Sequence, residues 1–77
     1  MTDIRQATEY IIKAIVSDSD NVEVSSRLEN ELNILEVSAP PEIIGQIIGK
    51  EGKIIKSIRT LINLAFPDIR YLLQIKE

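Results

Sequence analysis

The chain reads as an α+β domain with the element order helix, strand, strand, helix, loop, helix, strand. Three observations predict it: apolar residues at helical spacing in three segments, strand-like alternation in the last one, and proline and glycine punctuation between them.

The first helix opens at Asp3, which with Gln6 fits a capping box, and Ile4, Ala7, Thr8, Ile11, Ile12 and Ile15 keep a helical period. It stops at the turn-like run Ser17-Asp18-Ser19-Asp20-Asn21. Val22, Val24 and Leu28 predict a short strand, Glu29-Asn30-Glu31 a turn, and Leu32 to Ser38 a second strand, together a hairpin. Ile34 and Leu35 are both apolar yet point to opposite faces, so alternation alone leaves the register open. Ala39-Pro40-Pro41 ends that strand, and Pro41 suits the first turn of the second helix, where its missing N–H is not needed. Ile43, Ile44, Ile47 and Ile48 carry this helix to Gly49. The third helix is predicted from Gly52 to Phe66, with Ile54, Ile55, Ile58 and Ile62 in period and Pro67-Asp68 as its breaker. Ile69, Tyr71, Leu73 and Ile75 then alternate as the last strand.

With 77 residues the chain is expected to be one domain, residues 1–77, with a single core. It holds no cysteine and no histidine, which removes disulfides, thiol nucleophiles, the usual zinc ligands and the commonest general base. A non-enzymatic protein without metal or cofactor is the expectation. The N-terminus has no basic segment followed by an apolar run, and no stretch approaches the roughly 18 apolar residues of a membrane span. That predicts a cytoplasmic protein with no membrane partner.

The net charge of −3 argues against a nucleic-acid partner until its distribution is considered. Residues 1–42 hold three basic residues against nine acidic ones, a net −6. Residues 43–63 hold Lys50, Lys53, Lys56 and Arg59 against Glu51 alone, a net +3. The positive charge therefore gathers where the second helix hands over to the third.

At that point Ile48-Gly49-Lys50-Glu51-Gly52-Lys53-Ile54-Ile55 sets two glycines three apart around a charged pair. A glycine at each end permits positive φ and lets another chain approach without meeting a Cβ. The second glycine opens a helix, whose free N–H groups and positive dipole end favour an anion such as phosphate.

This segment resembles the I-G-x-x-G-x-x-I signature of the KH domain, a module that binds RNA and single-stranded DNA. The element order is similar to the type II arrangement of that fold, which implies a three-stranded mixed sheet with three helices on one face. A chain of this length, with Ser57-Ile58-Arg59-Thr60-Leu61 after the loop, is similar to the small stand-alone bacterial KH proteins of the KhpA type. The resemblance implies RNA binding in the cytoplasm, RNA-chaperone activity, self-association as a homodimer, and a heteromer with a larger KH-containing RNA-binding protein. It also implies post-transcriptional regulation tied to cell elongation, cell shape and division. Carried onto this sequence, the backbone clamp falls on Gly49, Lys50, Glu51 and Gly52, facing about four unpaired nucleotides. Gly45 matches the small residue over which a base can lie, Ile48 and Ile55 support the groove floor, and Lys53 and Lys56 reach flanking phosphates. Glu51 departs from the favoured pattern, because a carboxylate beside phosphates lowers affinity.

Plainer roles stand beside these. Gly49 and Gly52 also fit an ordinary helix-to-helix turn, and Gly45 fits close packing between helices. Ile43, Ile44, Ile47, Ile54, Ile58 and Ile62 read as core, and Tyr10 and Tyr71 as structural. At 100° per residue the apolar positions of the third helix span an arc of about 200°, wider than one core face needs. Leu61 and Leu64 are the edge expected to remain outside the core as a dimer interface, unless the first helix or last strand covers them. A KH-fold adaptor for proteins, with little RNA affinity, is the alternative function.

Overall fold

The computed structural model describes residues 3–76; Met1, Thr2 and Glu77, which entered the charge and N-terminal readings, lie outside them. The elements are α1 (Ile4–Ile15), β1 (Glu23–Glu29), β2 (Leu32–Ser38), α2 (Pro41–Ile48), α3 (Lys53–Ala65) and β3 (Tyr71–Lys76). Short 3-10 turns at Ser19–Asn21 and Lys50–Gly52 precede β1 and α3. The predicted order is correct throughout, although Ile69 falls before the last strand instead of within it.

Local chemistry sets the boundaries. Gln6 N–H donates to Asp3 Oδ1 at 2.8 Å and Asp3 N–H donates to Gln6 Oε1 at 3.3 Å, completing the capping box of α1. Pro41 opens α2, and the Pro40 carbonyl accepts from both Ile43 and Ile44 at 3.0 Å. The hairpin turns on Asn30 and Glu31 alone, at φ 49° and 68°, so Glu29 belongs to β1. Two successive positive φ values are what a tight two-residue hairpin turn requires.

The sheet order is β1-β2-β3, with β1 antiparallel and β3 parallel to β2. This is the mixed three-stranded sheet expected of the type II arrangement. Register settles the ambiguity at Ile34 and Leu35. Val24, Val37 and Ile75 form one row across the sheet and Leu35 pairs Leu73 in the next, both facing the helices. Ile34 belongs to the opposite row, between Arg27 and Leu72, on the face without helices. Arg27 lies over that face, 2.6 Å from Glu29 and 3.8 Å from Glu36, and the Glu29 contact raises its pKa further. The edge of β1 is partly covered, since Arg5 Nη1 donates to the Val24 carbonyl at 3.3 Å.

The core gathers Ile4 and Ile12 of α1, Ile43, Ile44 and Ile47 of α2, Ile58 and Ile62 of α3, and the inner strand residues. Each such side chain contributes about 1.5–3 kcal/mol of burial free energy. Thr8 is the buried polar residue among them, and its hydroxyl donates to the Ile4 carbonyl at 2.7 Å. Two expectations need correction, at Ile54 and Tyr10. Ile54 is only partly buried, because it sits at the start of α3 over the turn. Ile15, in period with α1, is exposed because the helix ends there. Tyr10 is 77% exposed on the outer side of α1, and its hydroxyl has no hydrogen-bond partner among the described residues. Tyr71 does have one: its hydroxyl donates to Asn63 Oδ1 at 2.8 Å, tying β3 to α3. Partial burial raises its pKa, against the opposing charge of Arg59. Among the described residues no helix is long and apolar enough to cross a membrane.

Candidate nucleic-acid interface

The turn between α2 and α3 is built on three residues at positive φ. Gly49 sits at φ 74°, ψ 176°, a region open essentially to glycine alone. Glu51 (φ 57°) and Gly52 (φ 75°) are both left-handed. A Cβ on Gly49 would lie 2.8 Å from Ile54 Cβ and closer still to its Cγ1, so the isoleucine packs directly on the bare glycine. Gly49 thus has a structural duty as well as any role in binding. At Gly52 the constraint is φ, since an added Cβ would meet only Ile55 Cγ2 at 4.0 Å. The left-handed Glu51 was not legible in advance; for a residue with a side chain that conformation costs about 1–2 kcal/mol.

Backbone satisfaction in the turn is selective. Gly49 N–H donates to the Gly45 carbonyl at 2.9 Å, Gly52 N–H to the Gly49 carbonyl at 3.2 Å, and Lys53 N–H to the Lys50 carbonyl. The N–H groups of Lys50 and Glu51 have no acceptor among the described residues. Both residues are exposed. Two adjacent unpaired donors beside a helix start suit an anion.

Gly45 resolves its two readings. A Cβ there would meet nothing within 4 Å, so close helix packing does not require the glycine. It lies on the exposed side of α2, one turn before Gly49. Ile48 is 36% exposed beside it, and Ile55 is half-buried across the turn. The residues expected to contact RNA, Gly45, Ile48, Gly49, Lys50, Glu51, Gly52, Lys53, Ile55 and Lys56, therefore run from α2 across the turn into α3.

The cations divide into two populations. Arg5, Lys13 and Arg27 are each within 4 Å of a carboxylate, through Glu9, Glu29 and Glu36. Lys50, Lys53, Lys56 and Arg59, like Arg70 and Lys76 further along the chain, have no ion pair among the described residues, and the first four are the ones that follow one another at the turn. Arg59 continues the three-residue spacing of Lys53 and Lys56 and joins the basic track, an extension the spacing alone already carried. An open hollow of about 540 Å³ lies elsewhere, lined by Glu9, Asp20, Glu23 and Glu36 with Lys13 and Lys76. Its carboxylates repel phosphate, so it does not compete with the turn as a nucleic-acid site.

Leu61 and Leu64 are 49% and 75% exposed, so neither α1 nor β3 covers them. On the helical wheel they lie on the flank of α3 opposite Arg59 and Asn63.

Three helices against one face of a β1-β2-β3 mixed sheet, with a G-x-x-G turn joining the last two, define a type II KH domain. Residues 5–68 match the family described as "KhpA/KhpB, KH domain". The "RNA-binding protein KhpA" of Clostridium acetobutylicum is 42% identical over 62 residues, covering 80% of this chain and 83% of the relative. Its counterpart from Clostridium perfringens is 39% identical over the same coverage, and that from Thermotoga maritima 31% identical over 84% of this chain and 87% of the relative. The chain belongs to the KhpA/KhpB KH-domain family. No solved structure gives a significant match.

The two glycines in question should respond oppositely to alanine. Gly45→Ala removes the conformational penalty of a mid-helix glycine into empty space, and should stabilise the fold by up to about 1 kcal/mol. Gly49→Ala should destabilise it by about 2 kcal/mol or more, through the Ile54 overlap and the forced φ. Urea denaturation of both variants checks this, and loss of stability in Gly45→Ala would show a packing role that the geometry denies.

Proposed function

We propose that this chain grips short single-stranded RNA segments, without catalysis and with low sequence selectivity, through the backbone of Gly49–Gly52. The observation that carries the reading is Gly45. Its missing side chain serves no contact inside the chain, yet a mid-helix glycine is unfavourable by about 1 kcal/mol, so the bare surface is there for something outside. One turn later come the unpaired N–H groups of Lys50 and Glu51, then the unpaired Lys53 and Lys56. A base lying on Gly45 with its phosphates at the turn uses all of these together. The relatives' names, RNA-binding protein, agree with it. Single-stranded DNA offers the same phosphates and fits the same backbone contacts.

The exposed Leu61 and Leu64 support self-association through α3, and the same edge serves a larger partner carrying its own KH domain. In a cytoplasmic setting this gives a small RNA chaperone acting in post-transcriptional regulation of cell elongation and division. The adaptor reading draws on the same two leucines, on the net charge of −3 and on Glu51 within the clamp. RNA titration decides between the two.

Lys50→Asp combined with Glu51→Asp should abolish binding to short unpaired RNA at low salt while leaving the fold intact, since both side chains are exposed. Gly45→Ala should weaken binding about three- to tenfold, although the fold becomes more stable. Fluorescence anisotropy is the measurement, and affinity within about twofold of wild type for the double variant sinks the clamp.

Leu61→Lys should give a folded monomer, because a twofold interface receives each substitution twice. It should weaken binding to long RNA more than to a four-nucleotide oligomer, as two linked clamps gain only from a strand that spans both. Sedimentation at matched concentration tests it: a monomeric wild type, or a variant that stays dimeric, removes this interface.

A further inference from the structure

α2 holds Gly45 and Ile48 and leads into Gly49, yet it has only eight residues and no side-chain cap at its start. Its buried face is Ile43, Ile44 and Ile47. Apolar burial is non-directional, so these side chains set how deep the helix sits more firmly than how far it is rolled about its axis.

The directional restraint from side-chain hydrogen bonding comes from one residue. Ser17 N–H donates to Gln46 Oε1 at 2.8 Å, and Gln46 Nε2 donates to Ser17 Oγ at 2.9 Å. Among the described residues, no other side-chain hydrogen bond or ion pair ties α2 or the Gly49–Gly52 turn to the remaining elements. The anchor is itself held: Val16 N–H, one residue before Ser17, donates to the carbonyl of fully buried Ile12 at 3.2 Å.

At 100° per residue, Gln46 lies about 100° from the centre of the buried face on one flank and Ile48 about 100° away on the other, with Gly45 between them on the outside. A roll of about 10° displaces an atom about 5 Å from the axis by roughly 0.9 Å. A binding constellation tolerates about 0.5 Å.

We propose that Gln46 is a positioning residue for the nucleic-acid site, fixing the roll of α2 through its two-point clasp on Ser17. The proposal rests on the RNA reading above. Both hydrogen bonds are exposed, so their loss removes little stability and acts instead on where Gly45 and the turn face.

The test titrates a short unpaired RNA into wild type, Gln46→Ala, Ser17→Ala and the double variant, with a thermal melt of each. Gln46→Ala should weaken binding about three- to tenfold, and Ser17→Ala less, because its backbone N–H still bonds Gln46. The double variant should bind no worse than Gln46→Ala alone, and melting temperatures should stay within about 3 °C of wild type. Ser17→Ala binding like wild type while Gln46→Ala loses affinity would mean that Gln46 touches RNA itself, which overturns the proposal. Affinity losses that merely follow a large fall in melting temperature overturn it too, and Ser17→Ala keeps the test decisive if Gln46→Ala does not fold. A wild type that does not bind sinks the RNA reading along with it; a wild type that binds with additive effects sinks this proposal alone.

Discussion

Ile54 resting on the bare Cα of Gly49 is the contact on which the rest of the site depends. It requires a backbone conformation that only glycine takes readily, and it brings the start of α3 against the end of α2 without an intervening side chain. Once that approach is made, the chain has three residues in which to reverse, which forces Glu51 and Gly52 into left-handed geometry. The reversal uses the N–H groups of Gly49, Gly52 and Lys53 internally and leaves those of Lys50 and Glu51 over. The donors available to a ligand are therefore a by-product of how tightly two helices are joined.

Electrostatics follows the same division. The N-terminal half neutralises its three basic residues with its own carboxylates, on α1 and on the face of the sheet away from the helices. The basic residues from Lys50 to Arg59 are left unpaired beside the turn. Net acidity of the chain is thus compatible with a locally positive surface, because the acids lie mostly in residues 1–42 while Lys50, Lys53, Lys56 and Arg59 follow one another at the turn. With ionic screening over about 8–10 Å, a phosphate at the turn responds to the nearby lysines more than to the distant acids. Glu51 is the exception, a carboxylate placed at the site itself.

Much of this was legible in the sequence because periodicity and punctuation report directly on backbone geometry. Asp3 and Gln6, Pro41, Gly49 and Pro67 bounded the helices, and Leu61 and Leu64 stood out as apolar residues beyond one core face. What failed was whatever depends on three-dimensional neighbours. Periodicity could not say that α1 ends before Ile15 is covered. It could not assign Gly45, whose meaning lies in the empty space where a Cβ would be. Nor could it find Gln46, because the partner that gives it a role is 29 residues away and glutamine on a helix surface has no distinctive pattern.

The central claim is that the Lys50 and Glu51 amides, with Gly45 behind them, are where a nucleic-acid strand meets this chain. Amide NMR of the uniformly labelled protein during titration with a short unpaired RNA tests it most directly. The largest shifts should fall on Lys50, Glu51 and Gly52 and continue to Gly45 on one side and Lys56 on the other, with the row Arg27, Ile34 and Leu72 unmoved. Shifts concentrated on that sheet row or on the acidic hollow, with the turn unchanged, would contradict it.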